Sequence, residues 1–436
     1  MKPDELSRRQ VLHIAWPIIL SNLSTPLLGL VDTAVIGNLG DASLLGAIAI
    51  GAVIFSFVYW GFGFLRMGTT ALVAQAVGAN QHREASAVFL RAAILGVCIG
   101  ALLVVLQTPI AVASLGLLDG SAEVESAANA YFSVRIMGAP FSLALLAVMG
   151  YLLGIQATGT VLLLNLVLNG LNILLDLVFV LVLGWGVEGV ALATVIAEVS
   201  ALTIGILVLR PRLKRTGSVA LSLLFNAAEL SRMFRVNRDI MIRTLCLIFA
   251  FAWFTNQGAS QGDVILATNA ILMQFVTFSA FFLDGFALAA ETLVGAAVGA
   301  SNRAKINQSI RYVFELGIVT ASLLSCFFWL GGEVVISLLT NIESVRDSTA
   351  VFIWWAIFAP IVSVWCYLLD GVFIGATKTP EMRNAMLASL IAFLGMWWLV
   401  TPQFGNHGLW LALYCYFIAR TISLGYYLPG LIRDHR

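Results

Sequence analysis

The sequence predicts an all-α polytopic membrane protein, with twelve transmembrane helices in two pseudo-symmetric six-helix bundles. Three observations predict it. Of 436 residues, 60% are hydrophobic and 11% are charged, where a soluble domain carries about 25% charged residues. The apolar residues gather into runs near the roughly 20 residues that a helix needs to cross a bilayer. The two halves of the chain also echo each other at a spacing of about 220 residues.

The runs cover residues 11–38, 44–65, 87–109, 130–154, 161–183, 188–209, 240–260, 264–290, 309–331, 350–375, 384–401 and 408–429. The first follows a basic stretch, Ser7–Gln10, as in a signal sequence. It is too long for one and ends in no small-residue cleavage site, so it reads as a retained helix. It holds Pro17 and, further along, Asp32 inside Leu30–Gly37. The fifth holds Asn165, Asn169, Asn172 and Asp176, spaced four, three and four apart, as one polar stripe on a Leu- and Val-rich helix. The sixth holds Thr194 and Glu198. The eighth, tenth and twelfth hold Asp284, Asp370 and Arg420. Between the sixth and seventh lies the one long polar connection, Arg210–Arg238. It divides the chain into a bundle at 1–209, a cytoplasmic linker at 210–238 and a bundle at 239–436. Trp397, Trp398 and Trp410 fall at run ends, where interfacial belts form. Phe281, Phe282 and Phe286 are candidates to line a path. The five cysteines stand alone in apolar runs, so neither a disulfide framework nor a zinc site is suggested.

Charge orients the runs. Arg66 and Arg83 follow the second. Arg210, Arg212, Lys214, Arg215, Arg232, Arg235, Arg238 and Arg243 surround the linker. Arg303, Lys305 and Arg311 follow the eighth, and Lys378 and Arg383 the tenth. Connections after odd-numbered runs are acidic, with Arg135 and Arg346 as exceptions. By the positive-inside rule both termini are cytoplasmic.

The repeat rests on three matches. Ala76–Asn80 answers Ala297–Ser301, Ala139-Pro140 answers Ala359-Pro360, and Ile155–Thr158 answers Ile374–Thr377, at offsets of 221, 220 and 219. The unit is six helices, an even number, so both copies enter the membrane in the same direction. This is the parallel-repeat plan of some secondary transporters, with the substrate path between the halves.

Orientation gives depth. Asp32, Asp176, Thr194 and Glu198 all fall in the outer halves of their runs, with Asn172 one turn before Asp176. Lipid-facing positions would be penalised, so these groups are expected to turn inward and meet. A carboxylate in apolar surroundings takes up a proton more readily than in water, and two close together titrate as a pair. Asp32 is therefore the expected proton-accepting centre. A structural buried acid is the alternative for Asp32, helix–helix glue for Asn165 and Asn169, and a static kink for Pro17. Asp284, Asp370 and Arg420 fall in inner halves. They read as a structural ion-pair network, with substrate gating as the alternative. Glu291, Glu315, His13 and His82 are expected to be solvated near the cytoplasmic face.

No Walker sequence is present, so ATP is not the expected energy source, and neither HExxH nor GxSxG occurs. A polytopic enzyme is thereby disfavoured, and a channel would be told apart by a current across a planar bilayer. A lipid-linked precursor flippase is the rival transporter, but the basic residues stand in loops rather than in a central cavity.

Leu30–Gly37 (LVDTAVIG), the AVGAN and IGAT segments, Asn237–Arg243 (NRDIMIR) and CYLLDGVFIGAT together resemble the multidrug and toxic compound extrusion (MATE) family, in its DinF-like branch. The resemblance covers essentially the whole chain. It implies two six-helix bundles around a central cleft and antiport of organic, often cationic, drugs against protons or sodium, with no cofactor. It matches Asp32, Asn172, Asp176 and Thr194 to the coupling site and Pro17 to a bending proline. Glu198 has no counterpart carried over. The sodium-coupled branch has a glutamate in the seventh helix that this chain lacks, which favours protons; sodium at the same oxygens stays an alternative. The expected partners are small organic drugs and the bilayer of a bacterial inner membrane, with no nucleic acid and a monomeric chain.

Overall fold

The computed structural model describes residues 6–37, 42–115, 121–217 and 219–433; the side chain of Asp32 is among those that lie outside the described ones. The described chain is helical: α1 (Arg8–Gly37), α2 (Ala42–Gly61), α3 (Phe64–Gly78), α4 (His82–Val105), α5 (Gln107–Leu115), α6 (Ala122–Ile136), α7 (Ala139–Gly154), α8 (Thr158–Asp176), α9 (Gly186–Arg215), α10 (Leu221–Leu224), α11 (Ala227–Ala259), α12 (Asp263–Gly299), α13 (Arg303–Leu339), α14 (Glu343–Gly375) and α15 (Thr379–Arg433). In a bilayer only a helix satisfies its own backbone, which is why apolar runs take this form.

Among the described residues nine helical segments are long and apolar enough to cross a membrane, and α6 with α7, bent by 53° at their junction, make a tenth. α15 is 55 residues long and breaks at Gly405 (φ 54°), so it makes two passes. α1, at 30 residues, is another. With α1 and both arms of α15 counted, the described helices accommodate the twelve passes expected from the sequence. Several run past the predicted limits, because polar residues continue a helix beyond the hydrocarbon. α9 reaches Arg215 through Pro211, and α12 is 37 residues long.

Two compact units form. One comprises Leu20–Phe234; the other comprises Arg235–Arg436 together with the chain up to Ile19. The beginning of α1 packs with the second half because it is bonded there. Arg8 pairs with Glu315 at 2.7 Å, and Gln308 donates to Leu6 O at 3.0 Å. Each unit has its own apolar core. Phe55, Tyr131, Phe132 and Val190 are central to the first, and Phe254, Phe393, Trp410 and Phe417 to the second.

The repeat is visible in the backbone. Asn80, Gln156, Ser301 and Thr377 are the described non-glycine residues with positive φ, at 59°, 60°, 50° and 54°. Each follows a helix C-terminus. The next residue's N–H reaches back to the helix: Gln81 to Ala76 O, Ala157 to Leu152 O, Asn302 to Ala297 O and Lys378 to Phe373 O, at 2.8–3.0 Å. These are left-handed C-caps, which occupy carbonyls that would otherwise lack donors. Asn80 pairs with Ser301 and Gln156 with Thr377, both 221 residues apart. The third sequence match, at 219, is therefore out of register. Its likeness was one of small-residue composition at a helix end. The proline pair also differs in role: Pro140 opens α7, whereas Pro360 lies inside α14.

The same offset governs helix packing. On Gly150 and Gly154 of α7 a Cβ would stand 2.7 Å from Arg66 O and 2.9 Å from Thr70 O, on α3 or at its entry. On Gly371 and Gly375 of α14 a Cβ would run into Ala287 O and Glu291 O of α12. Small residues four apart allow two membrane helices to touch backbone to backbone.

Candidate functional site

The asparagine stripe of α8 is the scaffold of the first unit. Asn165 donates to Ser21 Oγ, and Asn169 donates to Ser24 Oγ at 2.8 Å. These two are the interhelical contacts offered as the alternative to a functional role. One turn further, Asn172 and Asp176 are fully buried. They meet Thr194 of α9, whose hydroxyl lies 3.0 Å from the Asn172 amide and 3.0 Å from Val190 O. Directly after Asp176 the helix widens into a π-helical turn, Leu177–Val182. Such turns are frequent at functional sites. Periodicity alone does not reveal this one, because Leu177–Val182 is uniformly apolar.

The partners of the Asn172 amide set its orientation. With nitrogen toward Asp176 it donates to Oδ2 at 3.1 Å, while its oxygen accepts from Thr194 N (3.1 Å) and Oγ1 (3.0 Å). Both ends are then satisfied by an ionised carboxylate. The reverse orientation would set the amide nitrogen against the Thr194 N–H and the amide oxygen against Asp176 Oδ2, leaving both ends mismatched.

Glu198 does not join this cluster. One turn along α9, it takes Arg135 Nη2 at 2.6 Å and Nη1 at 2.9 Å, and Ser142 donates to the same carboxylate. Arg135 stacks over Phe55 and Tyr59, 5.3 and 5.1 Å from the ring centroids. This buried fork ties the end of α6 and the start of α7 to α9 across their bend. The signal for it was Arg135 itself, a cation in a segment otherwise acidic.

In the second unit Asp370 of α14 is buried between two arginines. Arg420 donates to Oδ2 at 2.5 Å, and Arg243 Nε to the same oxygen at 3.1 Å. The Asp370–Arg420 pair is the ion pair expected from the sequence. Arg243 was counted with the cytoplasmic charges, and that is corrected: it is 8% exposed and belongs to this triad. Its place directly after a run of exposed arginines hid it. Asp284 is half-buried on α12. Glu291, expected in solvent, is 2% exposed. Glu315 is half-buried and holds Arg8 and Arg311. Trp410 is not interfacial: it is buried and donates to Asn269 Oδ1 at 2.8 Å. Among the described residues no cluster of metal-ligating side chains occurs.

A family model described as MatE matches residues 17–178 and 240–398, one stretch in each half of the chain. The chain belongs to the MATE family. Its members are membrane transporters, not enzymes. A relative of this MATE transporter in Escherichia coli (strain K12), DNA damage-inducible protein F, is 41% identical over 420 residues, 96% of this chain and 91% of its own. Probable multidrug resistance protein NorM of Acinetobacter baylyi is 24% identical over 426 residues, 93% and 92% of the two chains. A solved outward-facing multidrug resistance MATE family transporter matches with a TM-score of 0.89 at 18% identity, over 98% of this chain and 96% of that one, which is a likeness of fold. Within this MATE transporter the polar cluster belongs to one repeat. The positions 221 residues after Asn172 and Asp176 are Phe393, buried in the core, and Trp397, which packs edge-on against Trp253 at 5.0 Å.

Proposed function

We propose that the protein is a secondary active multidrug efflux transporter that exchanges organic, often cationic, compounds for protons by alternating access, with Asp32 as the group that gains and loses the proton. The observation that carries this reading is the fully buried Asn172–Asp176 pair joined to Thr194, a polar device present in one repeat only. Register supports the part given to Asp32. Ser21 and Ser24 bond Asn165 and Asn169 at separations of 144 and 145 residues, so α1 and α8 run in parallel. Continued along both helices, that spacing brings position 32 level with Asp176. The relatives' names, multidrug resistance and multidrug export proteins, support the substrate class.

Facing outward, Asp32 takes a proton from the external medium. With the pair's charge reduced, the hydrogen bonds to Asn172, Asp176 and Thr194 rearrange, and with them the bonds holding α1 to α8. Pro17 removes one backbone bond from α1 and lets it bend there. The two compact units divide within this helix, after Ile19, two residues beyond Pro17. The cavity narrows and the drug leaves. In the inward-facing state the proton is lost to the cytoplasm and new drug binds. Both termini lie on the cytoplasmic side of the inner membrane. The test is ethidium efflux from proteoliposomes under separate proton and sodium gradients. A proton gradient alone should drive it and a sodium gradient alone should not; the reverse would assign the same oxygens to sodium and overturn the proton reading.

A further inference from the structure

The first unit holds a second polar concavity, far along its helices from Asp176 and on the face that the arginine distribution assigns to the cytoplasm. It is a cavity of about 980 Å³ between the start of α4, the end of α7, and the chain leaving α9. Arg83, Arg212 and Arg215 line it, with Glu84, Glu229 and Tyr151.

The balance of charge inside it is uneven. Glu84 is taken by Arg91 at 2.6 Å, and Glu229 faces Arg232 at 3.9 Å. Neither arginine lines the cavity. Arg83 gives its Nε to Thr216 O at 3.3 Å. Arg83, Arg212 and Arg215 have no carboxylate partner among the described residues, and all three are exposed. Membrane topology asks only that basic residues stand in this loop. It does not ask that they gather around a hollow whose acids are occupied by other cations.

One wall of the cavity, with Leu223 and Asn226, is fastened to the first unit. Arg91, buried beneath, donates Nε to Leu224 O at 2.9 Å and Nη2 to Leu223 O at 2.6 Å. This fork fastens α10 against α4. It leaves Leu221 and Phe225, at 73% and 63% exposure, on the same short segment as the lining residues Leu223 and Asn226. Two large apolar side chains fixed outward on a cytoplasmic linker are costly in water and favourable in the headgroup–acyl boundary. Unpaired guanidiniums next to apolar anchors match a phosphate on a hydrocarbon chain.

We infer that this cavity binds the phosphodiester headgroup of an anionic glycerophospholipid of the cytoplasmic leaflet, with Arg83, Arg212 and Arg215 on the phosphate and Leu221 and Phe225 in the adjoining acyl region. The site is independent of the compound exported. The lipid fixes the linker to the first unit and is a structural ligand of the transporter.

The test is native mass spectrometry of the full-length protein in detergent, titrated separately with phosphatidylglycerol, phosphatidylcholine and sodium pyrophosphate. Three proteins are compared: wild type, Arg83→Ala/Arg212→Ala/Arg215→Ala, and a control of equal charge change, Arg9→Ala/Arg303→Ala/Arg433→Ala. Phosphatidylglycerol should bind wild type and control alike. The cavity variant should bind it at least tenfold more weakly, since each of the three cations near a lipid phosphate contributes roughly fivefold. Phosphatidylcholine adducts should be weak and equal in all three. Circular dichroism of the cavity variant should match wild type, so that lost binding is not lost fold. Equal weakening in control and cavity variant would reduce the effect to net charge and overturn the site. Unchanged phosphatidylglycerol binding in the cavity variant would do the same. Pyrophosphate binding as strong as that of the lipid would overturn the lipid source and assign the cavity to a soluble phosphate.

Discussion

Two buried acids of this protein have opposite surroundings. Asp370 is held by two arginines, so its charge is compensated and fixed. Asp176 accepts from the Asn172 amide at 3.1 Å. Asp370→Asn should strand two guanidiniums in the interior. Breaking a buried pair costs about 3–5 kcal/mol, so a clear fall in Tm and in folded yield is expected. Asp176→Asn should unfold near the wild-type temperature in detergent and lose coupled efflux. An Asp370→Asn protein of normal Tm that had lost coupling would move the ion site to the second half. The first cluster was legible in the sequence because amides and a carboxylate at helical spacing stand out against leucine and valine. Arg243 and Glu291 were not, because charge counting assigns a side of the membrane but not a depth.

At the scale of the element, close approach and hinge are separate devices. Gly371→Ala puts a methyl group into the Ala287 carbonyl, which is backbone and cannot step aside. It should cost several degrees of Tm or folding itself. Gly331→Ala on α13, with nothing within 4 Å of the new methyl, should leave Tm unchanged. Equal behaviour of the two variants would contradict the packing account. Both glycine pairs stood in the sequence as GYLLG and GVFIG, at the offset that the left-handed caps share. They were passed over because glycine is common in membrane helices and only the facing carbonyls reveal its purpose. Pro17→Ala restores a backbone bond to α1. It should leave folded yield unchanged and slow ethidium efflux several-fold; wild-type efflux would reduce Pro17 to a static kink. The bend between α6 and α7 and the π-helical turn after Asp176 lay beyond periodicity, since both fall within apolar runs that read as single helices.

At the scale of the whole chain, two copies of one six-helix unit have kept their caps and glycine contacts and diverged in their polar interiors. One carries Asn172 and Asp176 where the other carries Phe393 and Trp397. The proposed titrating centre lies in the first, and the second holds one carboxylate between two arginines. A gradient-driven exchanger needs one titrating centre that drug and proton compete for. Competition can be read without any membrane. Drug added to purified protein in weakly buffered detergent near neutral pH should release protons, recorded by an indicator dye. Wild type is predicted to release them in proportion to bound drug, and Asp32→Asn to bind drug while releasing none. Equal proton release from Asp32→Asn would contradict the account.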